Sequence, residues 1–188
     1  MSTINNRFYK KSYENYGISA KGLHWSSKET QYKRFEIIVN LLKKEILDSS
    51  IIDIGSGFGD FLNYLDENFI KLNSYIGVDC EDFILDIARK RFPLNFFLKC
   101  DILKNEIPNA DYLICSGALN IFKTQDIFIA IDNCFKASDK GFIFNFLTKD
   151  SIHNLREEQI YNFCKTLTSE VTIINSYLEN DSTIYLKK

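Results

Sequence analysis

Apolar positions along this chain change their period near residue 49. Up to Trp25 the sequence is polar and aromatic, with Tyr9, Tyr13 and Tyr16 and no sustained apolar repeat. Tyr32, Phe35, Ile38, Val39, Leu42 and Ile46 then recur at helical spacing, which predicts a helix over about 28–46. Ser26-x-x-Glu29 ahead of it reads as a capping box, each side chain satisfying the other's free backbone N–H. Beyond residue 49, short apolar runs alternate with helical patterns. Strands are expected at Ile51–Ile54, Tyr75–Val78, Phe96–Cys100, Tyr112–Cys115 and Phe142–Leu147. Between them, Phe58, Phe61, Leu62 and Leu65 share a helical face, as do Ile127, Ile131 and Phe135 within 124–137. Glu81–Phe92 carries acids in its first turn and Arg89, Lys90 and Arg91 in its last, which suits a helix dipole, and Pro93 stops it. Ile160, Phe163, Cys164 and Leu167 mark a last helix. Val171–Leu178 and Thr183–Leu186 follow as two strands around a turn at Glu179-Asn180-Asp181.

Strands that alternate with helices need crossover connections, so the expected sheet is mostly parallel and covered on both faces. The fold class is α/β: a Rossmann-like, doubly wound, seven-stranded sheet with a C-terminal antiparallel hairpin and an N-terminal helical extension. Residues 1–188 form one domain, with 1–48 as a helical cap or lid and 49–188 as the core. A chain of 188 residues supports that count, at roughly 100–200 residues per domain.

Composition narrows the function. The net charge is −2, and the basic clusters Lys10-Lys11, Lys43-Lys44 and Arg89-Lys90-Arg91 are short, so the basic stripe of a duplex-binding protein is missing. No run approaches the roughly 18 apolar residues of a membrane span, and Met1–Ser12 has no signal-peptide core. The five cysteines lack Cys-x-x-Cys spacing, which predicts a reduced, cytoplasmic protein with no zinc site, no other metal site and no disulfide framework.

In an open α/β sheet the ligand lies beyond the carboxyl ends of the strands, so chemistry is sought there. The first strand ends in Asp53-Ile54-Gly55-Ser56-Gly57-Phe58-Gly59-Asp60. Glycines allow a tight turn and close approach to a ligand. A dinucleotide fingerprint would need glycine at position 60, where Asp60 stands, and no Lys-Ser/Thr pair follows. Asp53 and Asp60 put negative charge at the loop, unfavourable for a pyrophosphate and acceptable for a zwitterionic or cationic ligand. Asp79, with Cys80 beside it, ends the second strand at the distance where an acid reaches a ribose diol, or caps the next helix. Asp101-Ile102 ends the third strand and Cys115-Ser116-Gly117 the fourth, with Asn120 close behind.

Together these residues resemble class I S-adenosylmethionine-dependent methyltransferases, over about residues 50–188. Ile51-Ile52-Asp53-Ile54-Gly55-Ser56-Gly57-Phe58-Gly59 looks like their first motif, followed by the two strand-end acids and the closing hairpin. Gly17–Phe35, with Trp25 and Gln31-x-x-Arg34-Phe35, also resembles the N-terminal part of some bacterial methyltransferases. The resemblance implies S-adenosylmethionine as cofactor. It implies that Gly55, Ser56, Gly57 and Gly59 lie under its amino-acid part and that Asp53 holds the loop or the amino group. It further assigns Asp79 to the ribose, Asp101 and Ile102 to adenine, and Ser116 to the methionine moiety, with Cys80 in the same site. The Asn/Asp-Pro-Pro-aromatic motif of amino-methylating members is absent, its position holding Ser116-Gly117-Ala118-Leu119.

Methyl transfer from a sulfonium asks mainly for positioning and exclusion of water, so a general base is optional. His24 and Asn120 are candidates for acting on the acceptor, and His153 reads as peripheral. Trp25 either caps the site or packs on the N-terminal helix. Arg34 either pairs with a cofactor or substrate carboxylate or is a solvated helix charge. The expected acceptor is a small molecule. The competing readings are an RNA or protein methyltransferase, a non-catalytic cofactor-binding partner, and a nicotinamide-dependent reductase disfavoured by Asp60.

Overall fold

The computed structural model describes residues 3–149 and 151–188; the first two residues of the polar Met1–Ser12 run lie outside them. One seven-stranded sheet organises the chain. Its strands are β1 (Ser50–Ile54), β2 (Ser74–Asp79), β3 (Phe96–Lys99), β4 (Ala110–Ser116), β5 (Ser138–Leu147), β6 (Val171–Asn175) and β7 (Asp181–Lys187). Their order is β3-β2-β1-β4-β5-β7-β6. The first five are parallel, and β7 runs antiparallel to both β5 and β6. The expected doubly wound sheet with its closing hairpin is therefore present. Strand order reverses between β1 and β4, so the crevice at that switch opens over the ends of β1, β2 and β4.

Among the described residues, six α-helices accompany the sheet: α1 (Thr3–Tyr16), α2 (Lys28–Leu42), α3 (Asp60–Glu67), α4 (Asp82–Arg91), α5 (Thr124–Ala137) and α6 (Glu157–Leu167). Central strands here are apolar at consecutive positions because both faces are covered. In β5, Phe142, Phe144 and Phe146 are fully buried in a core shared with Ile127, Ile131 and Cys134 of α5 and Ile160 and Cys164 of α6. Ile143 points the other way, with Ile51, Tyr112 and Tyr185, into a core closed by Phe35 and Ile38 of α2, Phe61 and Leu65 of α3 and Leu85 of α4. Each buried phenylalanine contributes about 1.5–3 kcal/mol relative to exposure.

Several expected boundaries move. The helix predicted over 28–46 ends at Leu42, and Lys43–Asp48 tightens into a 3-10 turn entered through Lys43 at φ +51°. The N-cap of α2 is Ser27, whose hydroxyl accepts from the Thr30 N–H at 3.2 Å, while Ser26 bonds the Thr30 hydroxyl. The reciprocal Ser26–Glu29 box is therefore not formed. The strand expected at Val171–Leu178 stops at Asn175, and Asp181 opens β7 instead of closing the turn. At the sheet edge, β3 buries Phe97 while Phe96 is 79% exposed.

Candidate active site

The loop after β1 rises over the end of β2. Gly55, Gly57 and Gly59 all have positive φ, from +57° to +81°. The Gly55 and Ser56 N–H groups donate to the Val78 carbonyl at 2.7 and 2.9 Å. The Gly57 N–H donates to one oxygen of Asp79 at 3.2 Å, and the Glu81 N–H donates to the other at 3.0 Å. Asp79 thus clamps the glycine loop to the start of α4. The tight turn also admits the N-terminal segment: a Cβ on Gly57 would lie 2.5 Å from Leu23 Cδ1. Gly59 is the left-handed residue before α3, crowded by Phe92 and Phe97.

A cavity of about 440 Å³ opens over these strand ends. Asp53, Gly55, Ser56, Gly57, Asp79, Cys80, Asp101, Ile102 and Ser116 all line it; Gly59 does not. Trp25, His24 and Asn120 line it too, while His153 does not. The N-terminal segment supplies its roof. Trp25 lies against Gly117, where a Cβ would meet its ring at 2.5 Å, and His24 stacks on Phe8 with ring centres 3.7 Å apart.

Buried acids stand on the walls. Burial pushes the Asp53 carboxyl up to about 7, helped by the charges of Asp79 and Asp60, against the pull of the Tyr75 hydroxyl that donates to it at 2.8 Å. Burial raises Asp79 to about 6, although its backbone donors favour the anion and Glu81 opposes it. Neither acid has an ion-pair partner among the described residues. Asp60 differs from the sequence expectation. Its charge is met by Arg91 at 2.8 Å, and Gln31 Nε2 donates to it at 3.2 Å. Asp101 pairs with Lys104 at 2.9 Å and accepts from the Leu103 N–H.

The reading of Arg34 is corrected by these contacts. Arg34 is neither solvated nor turned to a ligand carboxylate: Nε and Nη2 donate to the two Asp181 oxygens at 2.6 and 2.5 Å. Its guanidinium also sits 4.8 Å over Trp25, so that ring both packs internally and faces the cavity. Asn120 is engaged structurally, its Oδ1 accepting from the Leu147 N–H at 2.8 Å. Sequence reasoning missed Glu81 and Asn145. Glu81 is buried on the wall two residues past Asp79. Asn145 is buried beneath the site, donating through Nδ2 to Ser116 Oγ at 3.1 Å. A lone amide in the run Phe142-Ile143-Phe144-Asn145-Phe146-Leu147 was the available signal.

The residues present fit a cationic ligand with a nucleoside part. Two acids with no ion-pair partner among the described residues favour positive charge, Ile102 and Ile84 offer apolar surface, and the Ser56 hydroxyl is buried with no hydrogen-bond partner among the described residues. Sheet order, glycine loop and strand-end acids match the pattern of the class I methyltransferases that depend on S-adenosylmethionine.

Comparison with known proteins agrees. The family described as "Methyltransferase domain" matches residues 51–141. "Putative methyltransferase Rv1506c" of Mycobacterium tuberculosis is 29% identical over 159 residues, covering 74% of this chain and 93% of its own. Among solved structures, magnesium protoporphyrin IX methyltransferase from Synechocystis PCC 6803 with bound S-adenosylhomocysteine superposes with a TM-score of 0.72 at 11% identity, over 99% of this chain and 95% of that one. The plantazolicin methyltransferase BpumL gives 0.71 at 14% identity, over 100% of this chain and 91% of its own. At such identities the structures speak for the fold alone.

Proposed function

We propose that the cavity binds S-adenosylmethionine and that the protein transfers the methyl group to a small-molecule acceptor, with residues 1–48 acting as a lid. The observation that carries this is the acid-lined cavity at the strand ends, roofed by Leu23, His24 and Trp25. When bound, the cofactor supplies a methyl group on a positively charged sulfur, whose leaving group needs no acid. Asp53 and Asp79 supply negative charge toward a sulfonium and an ammonium from buried positions, where such attraction is stronger than in water. Gly55, Ser56 and Gly57 bring backbone close to the amino-acid part; Asp79 faces the ribose, and Asp101 and Ile102 face adenine. Ser116 accepts from Asn145, which leaves its own hydroxyl proton free to donate into the cavity. Trp25 and Leu23 exclude water. His24 is the histidine on the cavity wall and the group positioned to take a proton from an acceptor that must lose one.

A small acceptor is favoured because the roof comes from the chain itself and the remaining walls, Ile121, Phe122 and Leu147, are apolar. The test has two stages. Calorimetry with S-adenosylhomocysteine should show micromolar binding, with NADH silent. Radiolabelled methyl transfer is then measured against small phenols, amines and carboxylates, and against RNA and protein. Labelling confined to the macromolecules would overturn the small-acceptor reading, and absent S-adenosylhomocysteine binding by folded protein would overturn the cofactor.

A further inference from the structure

Tyr9 belongs to no strand-end motif, yet its phenol lies on the cavity wall with Asp79, Cys80 and Glu81. The ring is held edge-on against the stacked Phe8 and His24 rings, at 5.6 and 5.7 Å between centres. Its neighbour Lys10 reaches over the Phe83 ring at 5.7 Å, so α1 is seated against the first turn of α4. No hydrogen bond joins the Tyr9 hydroxyl to another described residue. Burial, with the charges of Asp79, Cys80 and Glu81, raises the phenol far above its ordinary value, so it stays a neutral O–H.

The chemistry of a ribose diol gives that O–H a use. Each sugar hydroxyl both donates and accepts, whereas an ionised carboxylate only accepts. Asp79 and Glu81 can therefore take the diol's protons and cannot serve its oxygens. We propose that Tyr9 is a cofactor-binding residue contributed by the N-terminal helix, its hydroxyl donating to the sugar of the nucleoside whose protons the strand-end acids accept. This rests on the S-adenosylmethionine reading of the cavity. It makes nucleoside affinity depend on α1, so that the roof recognises the cofactor as well as covering it.

The test is calorimetry on the full chain with two probes. S-adenosylhomocysteine carries the nucleoside and the amino acid; 5′-methylthioadenosine carries the nucleoside without the amino acid. Tyr9→Phe should weaken both by a similar factor, about threefold to tenfold, the range for one net hydrogen bond. The thermal midpoint without ligand should not move, since the hydroxyl has no hydrogen-bond partner among the described residues. Tyr16→Phe, an exposed tyrosine on the same helix, should bind both probes as the wild type does. Equal affinity of Tyr9→Phe and wild type for both probes would overturn the proposal while leaving the cofactor reading intact. A loss confined to S-adenosylhomocysteine would overturn the assignment to the sugar. A wild type that binds neither probe would remove the cofactor reading itself.

Discussion

Asp53 and Asp79 concentrate the electrostatics of the site at single residues. Both have pKa values raised above the usual carboxylate range, to about 7 and about 6. Below about pH 4 these carboxyls are protonated whether the chain is folded or not, and they cost nothing. As pH rises through 4 toward 7 the unfolded chain ionises first, so the fold loses stability relative to it. The penalty is complete above about pH 7. The thermal midpoint without ligand should accordingly fall as pH rises from about 4 to about 7. Asp53→Asn keeps an acceptor for the Tyr75 hydroxyl and deletes the charge. It should raise stability near pH 8 by about 1–3 kcal/mol, flatten the pH slope and weaken S-adenosylmethionine binding. A cationic ligand works in the opposite direction. Affinity for S-adenosylmethionine should rise over the same pH range more steeply than affinity for S-adenosylhomocysteine, which lacks the sulfonium; parallel calorimetric titrations check this. The acids themselves were legible in the sequence because each stands where a strand ends. Their missing counter-charges were not, since Arg91 had first to be seen taking Asp60 instead.

At the scale of elements, the site is a meeting of two loops with a roof. Gly117 sits at φ +81° against Trp25, so an alanine there both strains the backbone and strikes the indole. Gly117→Ala should cost about 1–2 kcal/mol and push Trp25 toward water. Trp25 is the single tryptophan of the chain, so its emission reads that displacement directly. A red-shifted spectrum with weakened cofactor binding is expected, and an unchanged spectrum would show that the roof does not need this contact. Helix α2 shows where sequence periodicity stops informing. Its apolar spacing runs on to Ile46, yet the α-helix ends at Leu42, where Lys43 takes a positive φ and the chain tightens into a 3-10 turn that buries Ile46. The period of side chains survives in a 3-10 turn that the pattern does not distinguish from helix.

At the scale of the whole molecule, a buried ion pair ties the roof to the start of β7. Arg34 of α2 and Asp181 of β7 are separated by 147 residues, and their side chains are 8% and 4% exposed. The pair carries Trp25 on its guanidinium face. Breaking a buried pair by removing one partner leaves a stranded charge, at about 3–5 kcal/mol. Asp181→Asn and Arg34→Met should each destabilise by that order in chemical unfolding. The double variant Arg34→Met/Asp181→Leu should recover much of the loss, because two apolar side chains strand nothing. A double variant as unstable as the sum of the singles would show that the two residues act separately. Both single variants should also loosen Trp25, giving a shift in its emission like that of Gly117→Ala.

The sequence by itself determined the order of strands and helices, the glycine loop and the acids at the ends of β1, β2 and β3, because these depend on local period, turn chemistry and position. It also carried the nature of the ligand as far as its charge. The tertiary structure alone decided which charges stay unpaired, that Arg34 belongs to Asp181, that Asn145 supports Ser116, and that Tyr9 reaches the wall of Asp79. Those contacts join residues distant in the chain. Whether a buried polar group meets a partner or faces a cavity depends on packing in three dimensions, and local pattern carries no record of it.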